Sequence, residues 1–334
     1  MYDSLSRLKL FLMSRGETDD ILRLTPDAST REYFRIGWKG ERAIACVYPE
    51  SFVAREHTYL DITNLFLSGG LPVADVFAYD ESLGVIVQED LGDRILRDVM
   101  LEADEQKREK LNFEAVSLIP KIQAATPIAV ESGSIASRLC FDTEKLLWEL
   151  AFFKTHYFKT YKNEPLSASD DEAVVGEFTE LSRELESKAR VLCHRDFHAA
   201  NLMVDPTGRL RIIDHQDARL GSVAYDLASF LLDRVTEPPT GDYLAEKRRI
   251  FLTMRENLGL EQIEEKTFAD EFRLQTIQRC LKAIGTFSFQ SVNRGKTYFI
   301  PFIKPMFEIV LRATENLGRF PTIARVVSDE IMYQ

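Results

Sequence analysis

Short apolar runs separated by turn residues fill the first 90 residues of the chain. Residues 33–38 and 42–48 flank Lys39-Gly40 and predict a β-hairpin, and residues 73–78 and 85–88 predict a second one. Helical spacing of apolar residues appears in two other stretches: 1–24, where a short strand or loop follows the helix, and 52–67. The pattern predicts an antiparallel sheet with one helix packed in the same region.

Helical periodicity dominates after residue 93. Ser169 and Glu172 have capping-box spacing and predict the start of one helix. The other predicted helices are 94–124, 141–159, 225–234, 243–258, 268–289 and 301–317. Residues 191–214 interrupt them with two short β runs around a turn at 205–208. The sequence therefore predicts an α+β fold, with an N-terminal antiparallel β-sheet lobe and a larger, mainly helical C-terminal lobe.

Charge and cysteine content narrow the class of protein. The chain of 334 residues has 42 Lys and Arg against 53 Asp and Glu, a net charge of −11. This acidity argues against nucleic-acid or anionic-membrane partners, which need a basic face. The cysteines at 46, 140, 193 and 280 are far apart and predict reduced thiols. No signal-like or membrane-spanning apolar stretch is evident in the sequence, which predicts a cytoplasmic protein.

One segment of the chain contains the candidate catalytic residues. Residues 191–204 include His194, Arg195 and Asp196 followed by Asn201, which matches the kinase catalytic-loop pattern H-R-D-x-x-x-x-N. Asp214 follows thirteen residues after Asn201, at the end of an apolar β run. In phosphoryl transfer a loop carboxylate faces the attacking hydroxyl, while an amide oxygen and a second carboxylate hold Mg²⁺. The spacing predicts these roles for Asp196, Asn201 and Asp214, with His194 and Arg195 completing the catalytic loop.

These motifs resemble the aminoglycoside phosphotransferase family, the small-molecule relatives of protein kinases. Segments 27–35, 89–93, 194–198 and 214–217 are similar to the branch that phosphorylates the anomeric hydroxyl of N-acetylmuramate and N-acetylglucosamine. The resemblance, over residues 20 to 320, implies a two-lobed kinase-like fold that uses ATP and Mg²⁺. It also implies a nucleotide-binding lobe at 1–91, a lobe with the catalytic loop and substrate site at 92–334, and a role in cell-wall recycling.

The resemblance further implies positions for the nucleotide. A turn over the ATP phosphates would contain Asp27, Ser29, Thr30 and Arg31, and a hinge to the adenine would consist of Glu89, Asp90 and Leu91. Glu56 matches the glutamate of the first-lobe helix. Asp226 would brace the catalytic loop through its backbone amides.

Two departures from the kinase pattern stand out. The phosphate turn 27–31 contains no glycine, and residues 41–50 contain no lysine where kinases hold the α- and β-phosphates. Arg31, Arg35 or Arg42 could supply the missing cation, since arginine suits bidentate phosphate contacts. The sugar-kinase branch also tends to lack this lysine, so the resemblance implies an active enzyme.

Candidate substrate residues lie near the motifs and on one helix. His198, Gln216 and Asp217 are the polar residues nearest the metal ligands in sequence, and Glu149 and Phe153 share a face of the helix 141–159. Arg279 and Lys282, on a later helix, are candidates to meet a carboxylate on the substrate.

The favoured prediction is an ATP- and Mg²⁺-dependent kinase of a small molecule, most specifically of an amino sugar at its anomeric hydroxyl. Aminoglycosides, choline and other small alcohols remain open as substrates, and so does a catalytically dead binding module. A protein substrate is disfavoured because the next predicted helix follows Asp214 almost directly. The oligomeric state is left open.

Overall fold

The computed structural model describes residues 3–17, 20–24 and 30–333. It confirms the predicted fold class, with an N-terminal antiparallel sheet and a larger helical C-terminal part. The strands are β1 Ile21–Leu24, β2 Glu32–Trp38, β3 Glu41–Val47, β4 Val76–Asp80, β5 Val85–Glu89, β6 Val191–Cys193, β7 Leu202–Val204, β8 Leu210–Ile212 and β9 Arg219–Gly221. The helices are α1 Ser4–Ser14, α2 Thr58–Ser68, α3 Leu96–Glu102, α4 Glu105–Ala124, α5 Thr126–Glu131, α6 Ile135–Arg138, α7 Thr143–Lys154, α8 Ala168–Ser187, α9 Tyr225–Leu231, α10 Gly241–Asn257, α11 Glu265–Asn293, α12 Ile303–Leu317 and α13 Pro321–Tyr333.

The N-terminal sheet has the strand order β1-β2-β3-β5-β4 and is antiparallel throughout. Both predicted hairpins are confirmed, and Lys39 and Gly40 turn the first of them with φ angles of 51° and 85°. Helix α1 covers one face, where Phe11 stacks on Trp38 at 5.8 Å between ring centroids. The alternation of β2 thus buries one row of side chains under α1.

The helix predicted at 52–67 begins later than expected. His57 has extended backbone angles (φ −87°, ψ 107°), so a 3-10 turn at Ala54–Glu56 precedes α2 instead of joining it. The predicted start of this helix is therefore wrong, and Glu56 lies outside it. The extended residue ends the turn because helical hydrogen bonding cannot pass through it.

Three other predicted helix limits also change. The helix predicted at 94–124 is divided, because Ala103 is extended (ψ 146°). The cap of α8 is Ser167, which accepts from the Asp170 amide at 3.1 Å, and not Ser169. The helix predicted at 141–159 changes after Lys154 to a π-helical turn, Thr155–Tyr161. Helix α13 was not among the predicted helices. These helix limits differ from the predicted ones because they depend on local backbone angles or packing, which the spacing of apolar residues does not reveal.

Backbone proximity divides the chain into two compact units. The first consists of Met1–Leu111, Ile128–Ile135 and Ala200–Asp217, and the second of Asn112–Pro127, Ala136–Ala199 and Ala218–Gln334. The predicted boundary near residue 91 stays a prediction. The hairpin β7–β8, although late in the sequence, belongs to the first unit.

Backbone contacts hold this hairpin within the first unit. The Ile212 amide donates to the Pro72 carbonyl at 2.8 Å, beside a parallel bridge between Val73 and Ile212. On the other strand, the Val204 amide donates to the Arg94 carbonyl at 2.8 Å. The hairpin is therefore an added two-stranded layer of the first unit.

Arg211 of β8 ties the hairpin to the end of β5. Its guanidinium donates to both carboxylate oxygens of Glu89, at 2.7 and 2.5 Å, and to the Val73 carbonyl at 2.7 Å. It also pairs with Asp205 at 3.5 Å. These contacts hold the pKa of Glu89 below its usual range, chiefly through the hydrogen bond from Arg211. Arg211 thus fixes the position of the predicted hinge relative to the hairpin.

The core of the second unit is built around the long helix α11. Its buried residues include Ile277, Leu281 and Ile284. A Cβ atom added at Gly285 would lie 2.6 Å from the Cα of Phe153 on α7, so these helices approach more closely than any other residue allows. Among the described residues, no helix combines the length and apolar character needed to cross a bilayer.

We expect Gly285→Ala to destabilise the protein by about 1–3 kcal/mol, because overpacking pushes α7 and α11 apart. Gly176→Ala is the matched control in helix α8. No atom lies within 4 Å of a Cβ built there, and Gly-to-Ala in an open helix position stabilises by about 0.5–1 kcal/mol. Urea denaturation of both variants measures the difference. Equal effects of the two substitutions would contradict the close packing of α7 and α11.

We expect Arg211→Met to lower the unfolding free energy by about 2 kcal/mol at pH 7, because Glu89 loses a bidentate partner. The pKa of Glu89 is lowered in the folded state, so this stability is present above its ordinary pKa of about 4 and is lost as the pH falls below it. The difference from wild type should therefore shrink at low pH. Arg209→Met, whose side chain is 74% exposed, is the control and should cost under about 0.5 kcal/mol. A pH-independent difference would show that Arg211 acts through packing alone.

Candidate active site

A buried carboxylate holds the catalytic loop in the second unit. Asp226, at the start of α9, accepts hydrogen bonds from the backbone amides of His194 (2.7 Å) and Arg195 (3.1 Å). This confirms the predicted bracing role of Asp226. Burial raises the pKa of this carboxyl, against the opposing effect of His194. Arg195 has a φ of 87°, a left-handed conformation that costs about 1–3 kcal/mol in a residue other than glycine.

The side chains around the loop have separate surroundings. His194 is fully buried and meets the Phe197 ring edge-on at 5.7 Å. His198 is half-buried, and burial lowers its pKa against the attraction of Asp233 and Asp196. Their predicted catalytic and substrate roles stay predictions.

Asp196 lies among three cations. Its Oδ1 is 3.3 Å from the Lys282 ammonium and 3.6 Å from the Arg279 guanidinium, and its Oδ2 is 3.8 Å from Arg195 Nε. Burial by itself raises the pKa of Asp196, but the attraction of Lys282, Arg279 and Arg195 outweighs it and holds the pKa far below its usual range. The side chain is 31% exposed. Asp196 is therefore an ionised, accessible hydrogen-bond acceptor.

The cations on α11 are themselves held in place. Arg279 donates to the Ser229 hydroxyl at 2.6 Å and to the Tyr225 hydroxyl at 3.0 Å. Lys282 lies 3.7 Å from Oε1 of Glu149, which is on α7. The Gln278 amide donates to the other oxygen of Glu149 at 2.7 Å. The sequence predicted Lys282 and Arg279 only as candidates to bind a substrate carboxylate. It did not predict that both pair with Asp196.

The two candidates on α7 are both buried. The Glu149 side chain is 1% exposed, lying behind Lys282. Phe153 is 3% exposed and packs in an aromatic core, with its ring stacked on Tyr157 at 5.9 Å and edge-to-face with Phe307 at 6.2 Å between centroids. Their substrate roles stay predictions, and the surroundings of Phe153 are those of a core residue.

Asn201 and Asp214 meet at the base of the β7–β8 hairpin in the first unit. The Asn201 amide nitrogen lies 3.4 Å from Asp214 Oδ2, and the Gln216 amide donates to Oδ1 at 2.8 Å. Asp214 is left-handed (φ 61°), and next to it His215 is buried, with its Nε2 2.7 Å from the Thr63 hydroxyl. The hairpin thus brings together two residues thirteen positions apart. Asp217 follows in the same unit and is half-buried.

The donor set of Asn201 and Asp214 suits Mg²⁺. This ion prefers oxygen ligands and is usually held by one or two carboxylates together with substrate phosphates. Asn201 contributes an amide oxygen, a ligand type that suits this ion. Asp214 contributes a carboxylate that is 45% exposed. The two residues therefore fit a magnesium–nucleotide complex.

Arg31 is the cation beside these ligands. Its guanidinium is 3.9 Å from Asp214 Oδ1 and lies over the Tyr48 ring, 5.7 Å from the centroid. Arg35 instead pairs with Asp90 at 2.6 Å, and Arg42 is exposed. Of the three predicted substitutes for the missing lysine, Arg31 is the one that the structure places at Asp214.

The other nucleotide candidates are distributed along the first unit. Thr30 is exposed, and Asp27 and Ser29 lie outside the described residues. In the predicted hinge, Asp90 accepts from the Gly92 amide at 3.0 Å, and Leu91 is buried. The Glu56 side chain lies in the 3-10 turn, is 68% exposed and pairs with Arg55 at 3.3 Å. It therefore forms a surface ion pair and not a buried one.

Two named kinases are similar to this chain in sequence. It is 27% identical over 319 residues to an N-acetylmuramate/N-acetylglucosamine kinase of Neisseria meningitidis, covering 93% of this chain and 92% of the relative. A kinase of the same name from Caulobacter vibrioides is 27% identical over 289 residues, covering 83% and 74%.

Solved structures share the fold at low identity. An aminoglycoside phosphotransferase in complex with gentamicin is similar with a TM-score of 0.61 at 13% identity, covering 97% of this chain and 99% of that one. The choline kinase of Streptococcus pneumoniae is similar with a TM-score of 0.55 at 13% identity, covering 91% and 98%. These likenesses confirm the kinase-like fold.

A family model also matches this chain, as the catalytic-loop motif predicted. The model of the phosphotransferase enzyme family, which includes the aminoglycoside phosphotransferases, matches residues 20–260. With the H-R-D-x-x-x-x-N loop braced by Asp226 and the Asn201–Asp214 pair, this match confirms the predicted resemblance. The chain belongs to the phosphotransferase enzyme family and is a kinase.

Proposed function

We propose that this kinase transfers the γ-phosphoryl group of ATP to the anomeric hydroxyl of an amino sugar such as N-acetylmuramate or N-acetylglucosamine. The names of the two relatives support this substrate class. The observation that carries the proposal is the charge around Asp196. Three cations and two carboxylates form this cluster: Arg195, Arg279, Lys282, Asp196 and Glu149.

The surplus positive charge selects among acceptors. A polycationic aminoglycoside or a quaternary ammonium alcohol such as choline would be repelled by cations that face the catalytic carboxylate. A neutral or anionic sugar would not. The charge of the cluster therefore favours an amino sugar as the acceptor over an aminoglycoside or choline.

The low pKa of Asp196 also fits an anomeric hydroxyl. A carboxylate held by three cations is a weak base, so it suits a hydroxyl that gives up its proton readily. A hemiacetal hydroxyl is more acidic than an ordinary alcohol, because its ring oxygen stabilises the negative charge. Asp196 would accept the hydrogen bond of this hydroxyl and then its proton. The sugar oxygen would form the new O–P bond as the bond from the γ-phosphorus to the ADP oxygen breaks.

The first unit would hold the nucleotide. Asn201 and Asp214 would bind Mg²⁺, which neutralises the phosphate charge when it is bound. Arg31 would hold the phosphates from the same side, in the role of the missing lysine. Glu89, Asp90 and Leu91 would contact the adenine with their backbone, since Arg211 and Arg35 hold the side chains of Glu89 and Asp90. Structures of family neighbours with bound ATP support the use of this nucleotide. A cytoplasmic location, where ATP is available, stays a prediction.

A substrate panel tests the proposal directly. We expect ADP release with N-acetylmuramate or N-acetylglucosamine and far less with choline or an aminoglycoside. Asp196→Asn should lower kcat about 10²–10⁴-fold, because the amide cannot take the proton. Asp242→Asn, an exposed change in the first turn of α10, is the control and should keep wild-type turnover. Faster turnover of choline or an aminoglycoside would refute the sugar assignment. Unchanged turnover in Asp196→Asn would refute the mechanism, and turnover of no acceptor would favour a binding module.

Nucleotide binding provides a second test, because a bound ligand raises the melting temperature by mass action. We expect ATP with Mg²⁺ to stabilise the wild-type protein by about 2–3 kcal/mol at a hundredfold excess over Kd. Asp214→Asn should abolish the part of the shift that depends on Mg²⁺. Arg31→Met should reduce the shift with and without the ion, and Arg42→Met serves as the exposed arginine control. A shift in Asp214→Asn that keeps its full Mg²⁺ dependence would rule out Asp214 as a ligand.

A further inference from the structure

The charges beside Asp196 are arranged by depth. The Asp196 side chain is 31% exposed, Lys282 is 17% exposed and Glu149 is 1% exposed. Lys282 therefore lies between an accessible carboxylate and a buried one, at 3.3 and 3.7 Å. A lysine so placed is held from behind by Glu149, and it faces the position where an acceptor must meet Asp196.

Glu149 is arranged to hold Lys282 and not to contact an acceptor. The Gln278 amide donates to Oε2. Its other oxygen, Oε1, is buried without a hydrogen-bond partner among the described residues, and it faces the Lys282 and Lys145 ammonium groups at 3.7 and 3.9 Å. An unpaired buried carboxylate oxygen is costly unless a cation stays near it. Glu149 thus keeps an ammonium group beside Asp196.

The cations of the cluster outnumber its carboxylates. Arg279 is fixed by the Tyr225 and Ser229 hydroxyls, whereas lysine is a compact charge on a flexible stem that can turn toward a ligand. An anion that binds next to Arg195, Arg279 and Lys282 would be stabilised by these partly buried cations.

We propose that Lys282 binds an anionic oxygen beside Asp196, and that Glu149 is the positioning residue that holds Lys282 for this task. The inference rests on the proposed function, and it extends it by assigning a residue that recognises negative charge. Two oxyanions have the required chemistry. One is a carboxylate on the acceptor, such as the lactyl group of N-acetylmuramate, and the other is the phosphoryl group during transfer.

The test compares Lys282→Met with Lys282→Arg on an acceptor that has a carboxylate, N-acetylmuramate, and on one that lacks it, N-acetylglucosamine. Lys145→Met is the matched control, because Lys145 pairs with the same Glu149 but covers the Trp148 ring. We expect Lys282→Met to lower kcat/KM about tenfold or more, Lys282→Arg to recover part of the loss, and Lys145→Met to stay near wild type.

The pattern of the loss identifies the anion. A loss confined to N-acetylmuramate, mainly in KM, assigns Lys282 to the acceptor carboxylate. An equal loss of kcat with both sugars assigns it to the transferred phosphoryl group. A change below about twofold with both sugars, or a loss equal to that of Lys145→Met, would overturn the inference.

Two further measurements separate a folding defect and a wrong acceptor from a wrong inference. The double variant Glu149→Gln/Lys282→Met leaves no buried unpaired charge, so it should fold and still show the loss. If the wild-type protein phosphorylates neither sugar, the proposed function fails, and ATP hydrolysis without acceptor becomes the readout. Lower hydrolysis in Lys282→Met would then support the inference. Equal hydrolysis, with equal thermal shifts by N-acetylmuramate in both proteins, would overturn it.

Discussion

The buried Asp226 carboxylate is the interaction on which the catalytic loop depends. It accepts two backbone amides, from His194 and Arg195, and so offsets the cost of the left-handed conformation of Arg195. The next residue is Asp196, whose direction follows from that bend. Asp226 has no exposed surface, so its two hydrogen bonds to the backbone amides hold helix α9 and the loop as one element.

Asp196 is a carboxylate whose pKa is set by the cations around it. Arg279 and Lys282 come from one face of α11, three residues apart, and their attraction lowers the pKa of Asp196 against the effect of burial. The same cations make it a weak base and an unfavourable neighbour for a cationic substrate. In the proposed mechanism, one group of charges therefore sets both the affinity for the acceptor and the basicity of the catalytic group.

The ligands of the proposed magnesium site have a different origin. Asn201 and Asp214 stand at the two ends of a small hairpin, and Arg211 in the middle of that hairpin binds Glu89 at the end of the sheet. One buried guanidinium therefore connects the residues assigned to the metal with the strand assigned to the adenine. A substitution in the hairpin is expected to reach nucleotide binding through this contact, without any direct contact to the nucleotide.

Local sequence patterns predict much of this fold and several of its candidate site residues. The hairpins and the catalytic-loop motif depend on turn residues and fixed spacing, which a sequence displays directly. The bracing role of Asp226 followed from the family resemblance that this motif carries. The start of α2 after Glu56 was missed, because one extended residue at His57 interrupts an otherwise helical pattern. The pairing of Arg211 with Glu89 was missed too, because 122 residues separate the partners and surface arginines are common.

The sequence by itself determined the kinase family and the candidates for the reacting carboxylate and the metal ligands, because phosphoryl transfer needs particular residue types at fixed short distances along one loop. Only the tertiary structure decided which cations surround Asp196, which arginine lies at Asp214, and that Glu149 is buried and not on a solvated face. The physical reason is that charges pair across helices and strands far apart in the chain. A helical pattern shows which residues share a face, but the packing of that face decides which charges they meet.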